Sequence, residues 1–279
     1  MLVKYIVFTP ENTMNASDYH DWLERAFIYV EAALATELAR PSHACMSEDY
    51  LRVSLIRGLA YTKPELAHRV DSEFDAPWTG NPCWYDPTHD MSKGRAMQHD
   101  VAVVPDAIDQ GMICEVKWLK QSKGKELAKD IWKLALSRTT SAEGNARRTF
   151  LLVGGVGKSM SDTFATIRKN KMNIRWSNAG RTSGNPKPRE ISLEKFYRTK
   201  LGADALHSTL SRGNHFRRPP ECWRQLRLTI RQKWYRTLST VKWRMCLFEF
   251  DHRAVSTTQK MLWATAKSNM KWKCKPKTT

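Results

Sequence analysis

The sequence predicts an α/β protein: a mixed central sheet flanked by helices, with an N-terminal helix before it and a basic, β-containing extension after it. Three observations carry this. Apolar residues recur at helical spacing through much of the first sixty positions, and alternating runs follow near 69–76, 99–104 and 112–119. A helical stretch at 123–138 then leads into the apolar run RTFLLV and a further helix near 160–171. Helix, three strands, helix, strand is the order of a mixed α/β unit. We divide the chain into an N-terminal helical extension (1–46), a sheet-bearing core (47–176) and a basic extension (177–279). The last boundary falls at the Gly/Asn/Pro/Ser-rich stretch 177–188.

Each element has a local reason. Between Ser17 and Leu38, the residues Trp22, Leu23, Ala26, Phe27, Val30, Ala33 and Leu34 form one apolar face, and Pro41 follows. Ser47 caps a second helix with the stripe Leu51, Leu55, Ile56 and Leu59, and Pro64 opens a short third. The turn formers of 79–97 make a long loop. HDVAVV and MICEVKWL are two strands joined by PDAIDQG, and the helix after them turns Leu127, Ile131, Leu134 and Ala135 inward. Farther on, Leu226, Leu228 and Ile230 share one face of a strand while Arg227, Thr229, Arg231 and Lys233 share the other. VKWRMCLFEFD is its hairpin partner and adds Lys242 and Arg244.

Of 279 residues, 41% are apolar and 27% charged, enough to bury a core in one large domain or two ordinary ones. No apolar run reaches the roughly 20 residues that span a bilayer, and the apolar part of MLVKYIVFTPENT is too short for a signal peptide. The six cysteines (45, 83, 114, 222, 246, 274) form no CxxC pair. Together these features point to a reducing, cytoplasmic setting without a membrane partner. The charge is one-sided: residues 1–150 hold 18 Lys+Arg against 21 Asp+Glu, and residues 151–279 hold 28 against 7. A half-chain carrying +21 is a footprint for a polyanion, nucleic acid above all. Its candidate phosphate contacts are Arg217, Arg218, Arg227, Arg231, Lys233, Lys242 and Arg244, joined by Lys129 and Lys133 on the 123–138 helix. Trp223, Trp234 and Trp243 interleave with arginines as base-stacking surfaces do, and fit core packing equally.

The chemistry concentrates in HDVAVVPDAIDQGMICEVKW, residues 99–118. Alternation puts Glu115 and Lys117 on one side of a strand and Cys114, Val116 and Trp118 on the other. A turn centred on Ala107 and Ile108 sets Asp100 opposite Glu115, and two opposed carboxylates repel. A divalent cation between them relieves that repulsion. Oxygen-only ligands suit Mg²⁺, or Mn²⁺, which keeps several waters and takes substrate phosphate oxygens. Lys117 can then steady charge on phosphorus or orient the attacking water.

Asp100 and Glu115-Val116-Lys117, in that order of elements, resemble the signature of the PD-(D/E)XK nuclease superfamily, the restriction-endonuclease-like fold. The resemblance covers about 125 residues. It implies a nuclease cutting DNA (RNA being the other substrate) to leave a 5′-phosphate, in defence, restriction or repair, and it admits a homodimer. It implies that Asp100, Glu115 and the Val116 carbonyl bind the metal while Lys117 assists the attack of water. Either Glu48, on the first core helix, or Glu73, on the first strand, supplies the extra carboxylate. The proline that usually precedes the acidic residue is replaced by His99, and the literal Pro-Asp at 105–106 falls in the turn.

Two other patterns compete. LLVGGVGKS, 151–159, looks like a phosphate-binding loop, but the full motif needs glycine where Leu152 stands and its variant needs lysine where Val153 stands. It reads instead as a strand turning through glycines into a helix. Cys83, His89 and His99 match no zinc spacing. The expected function is therefore an Mg²⁺-dependent nuclease, then a non-catalytic basic nucleic-acid-binding protein, and third a P-loop ATPase.

Overall fold

The computed structural model describes residues 16–40, 46–75, 98–104, 111–139, 148–174, 189–210, 227–238 and 243–252. Seven strands make one open mixed sheet in the order β1-β2-β3-β4-β7-β6-β5. They are β1 (Val70–Asp75), β2 (Gln98–Val103), β3 (Met112–Leu119), β4 (Arg148–Val156), β5 (Arg189–Ser192), β6 (Arg227–Leu238) and β7 (Trp243–His252). The β3–β4 pair is parallel and its neighbours are antiparallel. Parallel neighbours need a crossover, and α3 (Gly124–Thr139) supplies it.

Helices cover both faces. On one, α1 (Ala16–Leu38) and α2 (Glu48–Thr62) pack through Trp22, Phe27, Leu51 and Leu55 onto Met112, Cys114, Val116, Phe150 and Leu152. Trp22 Nε1 donates to Leu59 O at 2.9 Å, tying α1 to the end of α2. Ser47 caps α2 by accepting from Tyr50 N, and a 3₁₀ turn from Pro64 to Arg69 leads into β1. On the other face lie α3, α4 (Gly157–Lys169), α5 (Leu193–Tyr197) and α6 (Lys200–Leu210), over Ile113, Leu151, Val153, Phe248 and Phe250.

The sheet runs across the boundary drawn at 177: β7 lies directly against β4, so the basic extension contributes central strands to the same core. Residues 189–210, to which the sequence reading assigns no element, hold β5, α5 and α6. They brace α3, since Trp132 stacks on Phe196 at 5.7 Å and its Nε1 donates to Gly202 O at 3.0 Å.

Gly154 and Gly155 of LLVGGVGKS are strand residues, not a loop, and Gly157 is the first residue of α4. Gly154 pairs with Trp118 and Met245, Gly155 with Leu119 and Arg244, so β4 is in ladder on both sides and enters α4 directly at Gly157. A Cβ on Gly154 would meet the Trp118 ring at 2.5 Å, and Gly155, at φ 149°, lies against Leu119 O. Ser159 Oγ is engaged with Lys120 O at 2.9 Å. Cys114 and Cys246 are free and buried, and no helix among the described residues is long and apolar enough to cross a membrane.

Candidate active site

The ladder between β2 and β3 runs only from Val103–Met112 to Val101–Cys114, although both strands continue. One step further, the same register sets Asp100 against Glu115, as alternation predicts; the turn itself, 105–110, lies outside the described residues. Here the Asp100 carboxylate receives the Val116 N–H, with Oδ2 2.7 Å from N. The N–H and C=O of one strand residue face the same neighbour, so the Val116 carbonyl is directed to this same gap.

Glu115 is fully buried. Its Oε1 is 2.5 Å from Nδ1 of the buried His99, and its Oε2 accepts from Lys133 Nζ at 2.9 Å. Lys133 also donates to Gln98 O at 3.2 Å, bridging α3 to the start of β2. Lys117 Nζ lies 3.0 Å from Glu48 Oε1 and 3.2 Å from Asp130 Oδ2. Asp130 Oδ2 is buried and makes no well-directed hydrogen bond despite that ion pair. Four carboxylates (Glu48, Asp100, Glu115, Asp130) thus meet two ammonium groups (Lys117, Lys133) where two strands part.

Burial, and then the charge of Glu115, push the Asp100 carboxyl up to about 8 against the pull of the Val116 N–H. Burial would raise Glu115 too, but the His99 hydrogen bond and the Lys133 charge outweigh it and hold Glu115 below its usual range. Burial opposes the charge on Lys117, yet Asp130 and then Glu48 override it and hold this ammonium well above the usual lysine range. Lys117 is therefore a fixed cation rather than a base. Burial raises Asp130, with Lys117 pulling the other way.

Of the expected site residues, Asp100, Glu115, Val116, Lys117 and Glu48 come together. Glu73 does not join them: it sits on β1 at φ 54°, and its Oε1 takes Arg52 at 3.0 Å on α2. Of the two candidates for the extra carboxylate, Glu48 alone reaches Lys117. Lys133 lies inside the site, bonded to Glu115, rather than on a solvated face; Lys129 is half-buried on the same helix. Arg244 lies over Gly157.

Arg227, Arg231 and Lys233 are on β6, whose pairing with β7 shifts register between Gln232 and Trp234. Arg217, Arg218 and Lys242 lie outside the described residues. Asp130 is the residue that sequence reasoning missed. Its signal was available, since Asp130 and Lys133 stand one turn apart inside the apolar stripe of α3.

Among the described residues, no three His, Cys, Asp or Glu side chains converge as ligands on one point. Asp100 and Glu115 with the Val116 carbonyl form an oxygen-only donor set, and a carboxylate oxygen already holding one hydrogen bond keeps a further lone pair. Two carboxylates suffice for Mg²⁺, which retains waters and takes phosphate oxygens. The surplus of carboxylates over ammonium groups fits a hard dication at this gap. Compared with protein-family models, curated proteins and solved structures, the chain matches none.

Proposed function

We propose that the protein is a divalent-metal-dependent nuclease acting on DNA, with its site where β2 and β3 part. The observation that carries this is the convergence of Asp100, Lys117 and the partly exposed Glu48 around the fully buried Glu115, a cluster with more acidic than basic groups. The order α2-β1-β2-β3-α3-β4-α4 supports it, being the order of the restriction-endonuclease-like core that the motif resembles. Asp100, Glu115 and the Val116 carbonyl would hold Mg²⁺ or Mn²⁺, which when bound supplies a Lewis acid for the phosphate and an activated water. Lys117, kept cationic by Asp130 and Glu48, offers its ammonium to the charge that grows on the phosphoryl oxygens as water attacks. Glu48 and Asp130 hold that ammonium in place. His99 fixes the orientation of Glu115 from the β2 side.

Plasmid nicking with Mg²⁺, EDTA and ATP added in turn tests the assignment. Nicking with Mg²⁺, its loss with EDTA, indifference to ATP and an unimpaired Lys158→Ala variant are the expected pattern. Binding without nicking under every metal would leave a non-catalytic nucleic-acid-binding protein, and dependence on ATP and Lys158 would point to nucleotide hydrolysis.

The basic half of the chain is assigned the task of holding the polyanion. Each phosphate it neutralises should add about 0.9 to the slope of log K against log salt for duplex DNA. Replacing Arg227, Arg231 and Lys233 together by Gln is expected to flatten that slope by roughly two to three. An unchanged slope in a salt titration would place the contacts elsewhere.

A further inference from the structure

Lys133 holds an unusual position for a helix lysine. Its ammonium is 2.9 Å from Glu115 Oε2, on a carboxylate that is itself completely buried. Besides the neutral Gln98 O at 3.2 Å, a second carboxylate is close behind: Asp130 Oδ1, on the same helix, is 3.9 Å away, beyond hydrogen-bond length but within about 1 Å of it. Asp130 is nearly buried, and its other oxygen is served only by the poorly directed contact with Lys117. The Lys133 side chain keeps about a quarter of its surface exposed, so a rotamer change has room. The ammonium therefore stands between two buried carboxylates, one of which belongs to the oxygen set proposed for the metal.

We propose that Lys133 and the divalent ion compete for Glu115, with Asp130 receiving the ammonium when the ion takes the carboxylate. This rests on the metal-site assignment above. Two full cations on one buried carboxylate repel strongly at low dielectric, so an ion entering beside Asp100 drives the ammonium off Glu115. Gln98 O offers it no charge, whereas at Asp130 it completes a pair instead of leaving an isolated buried charge. Ion affinity is then set by the difference between two ammonium positions as well as by the ligands themselves. Lys133 acts as a positioning residue: it tunes how readily the ion loads and touches no reacting atom.

Mn²⁺ binding, followed by electron paramagnetic resonance or calorimetry on the full chain, reads this out without any cleavage. Lys133→Met removes the competitor and is expected to tighten Mn²⁺ about tenfold, and Mn²⁺ should raise its melting temperature more than that of the wild type. Asp130→Asn removes the retreat and should weaken Mn²⁺ severalfold with Lys133 present, and less in the Lys133→Met background. That cycle uses Lys133→Gln in its place if Lys133→Met does not fold. Equal or weaker Mn²⁺ affinity without Lys133, or an Asp130→Asn effect independent of Lys133, overturns the competition. Absence of any Mn²⁺ binding that Asp100→Asn abolishes would instead overturn the metal site, and the competition with it.

Discussion

Glu115→Ala should abolish cleavage and also cost the fold about 3–5 kcal/mol, the usual penalty for breaking a buried pair from one side. The alanine leaves Lys133 and His99 facing a void where both oxygens of a fully buried carboxylate had been bonded. Glu115→Gln, which keeps one oxygen acceptor, should recover part of the stability and none of the activity. Urea unfolding beside plasmid nicking separates the two effects. A Glu115→Ala protein as stable as wild type would mean that the His99–Glu115–Lys133 chain contributes nothing net.

Asp100→Asn is expected to do the opposite to stability while still removing cleavage, by at least about a hundredfold through loss of electrostatic stabilisation of the phosphate. Burial, and then the Glu115 charge, push the Asp100 carboxyl up to about 8 in the fold from an ordinary 3.8. A raised native pKa means that the native state binds the extra proton between those values. The stability this contributes is complete below about 3.8 and is lost as the pH rises toward 8. Asparagine does not ionise and still offers an oxygen to the Val116 N–H. With EDTA present, the advantage of Asp100→Asn should therefore be small below pH 4 and grow to a few kcal/mol at pH 8. Thermal unfolding across that range checks it, and a stability difference that does not change with pH would refute the raised pKa. Depression of the Glu115 pKa works the other way: its stabilisation is present above about 4.5 and is lost in acid.

These opposite outcomes for two carboxylates of one motif show where sequence stops. Alternation and a symmetric turn were enough to bring Asp100 to Glu115, because a two-residue period admits few registers once one face is buried. The same logic found α1, α2, α3 and the β6–β7 hairpin. What it could not supply was the partner across the layer. Asp130 and Lys133 approach Glu115 and Lys117 only because α3 crosses above β3, a relation with no trace in either segment alone. His99 was visible beside Asp100, but its bond to Glu115 depends on where the two strands stop pairing. For α5 and α6 the cue was present and unread: Ser192 accepts from Lys195 N and Thr199 from Gly202 N at the two helix starts. Which of Glu48 and Glu73 stands beside Lys117 is likewise tertiary: Glu48 pairs with Lys117, while Glu73 pairs with Arg52.

The flat seat that Gly154 makes for Trp118 has a mechanical consequence. Neighbouring side chains on a strand project in opposite directions, so any roll of β3 that lifts the Trp118 indole swings Lys117 by the same angle on the far side. The ring is held from below by bare backbone and from the side by Trp243, stacked at 5.6 Å. Together they act as a rotational stop for the strand. Gly154, in a stretch that resembles a nucleotide loop in the sequence, thus serves as a bearing surface for the strand that carries Lys117.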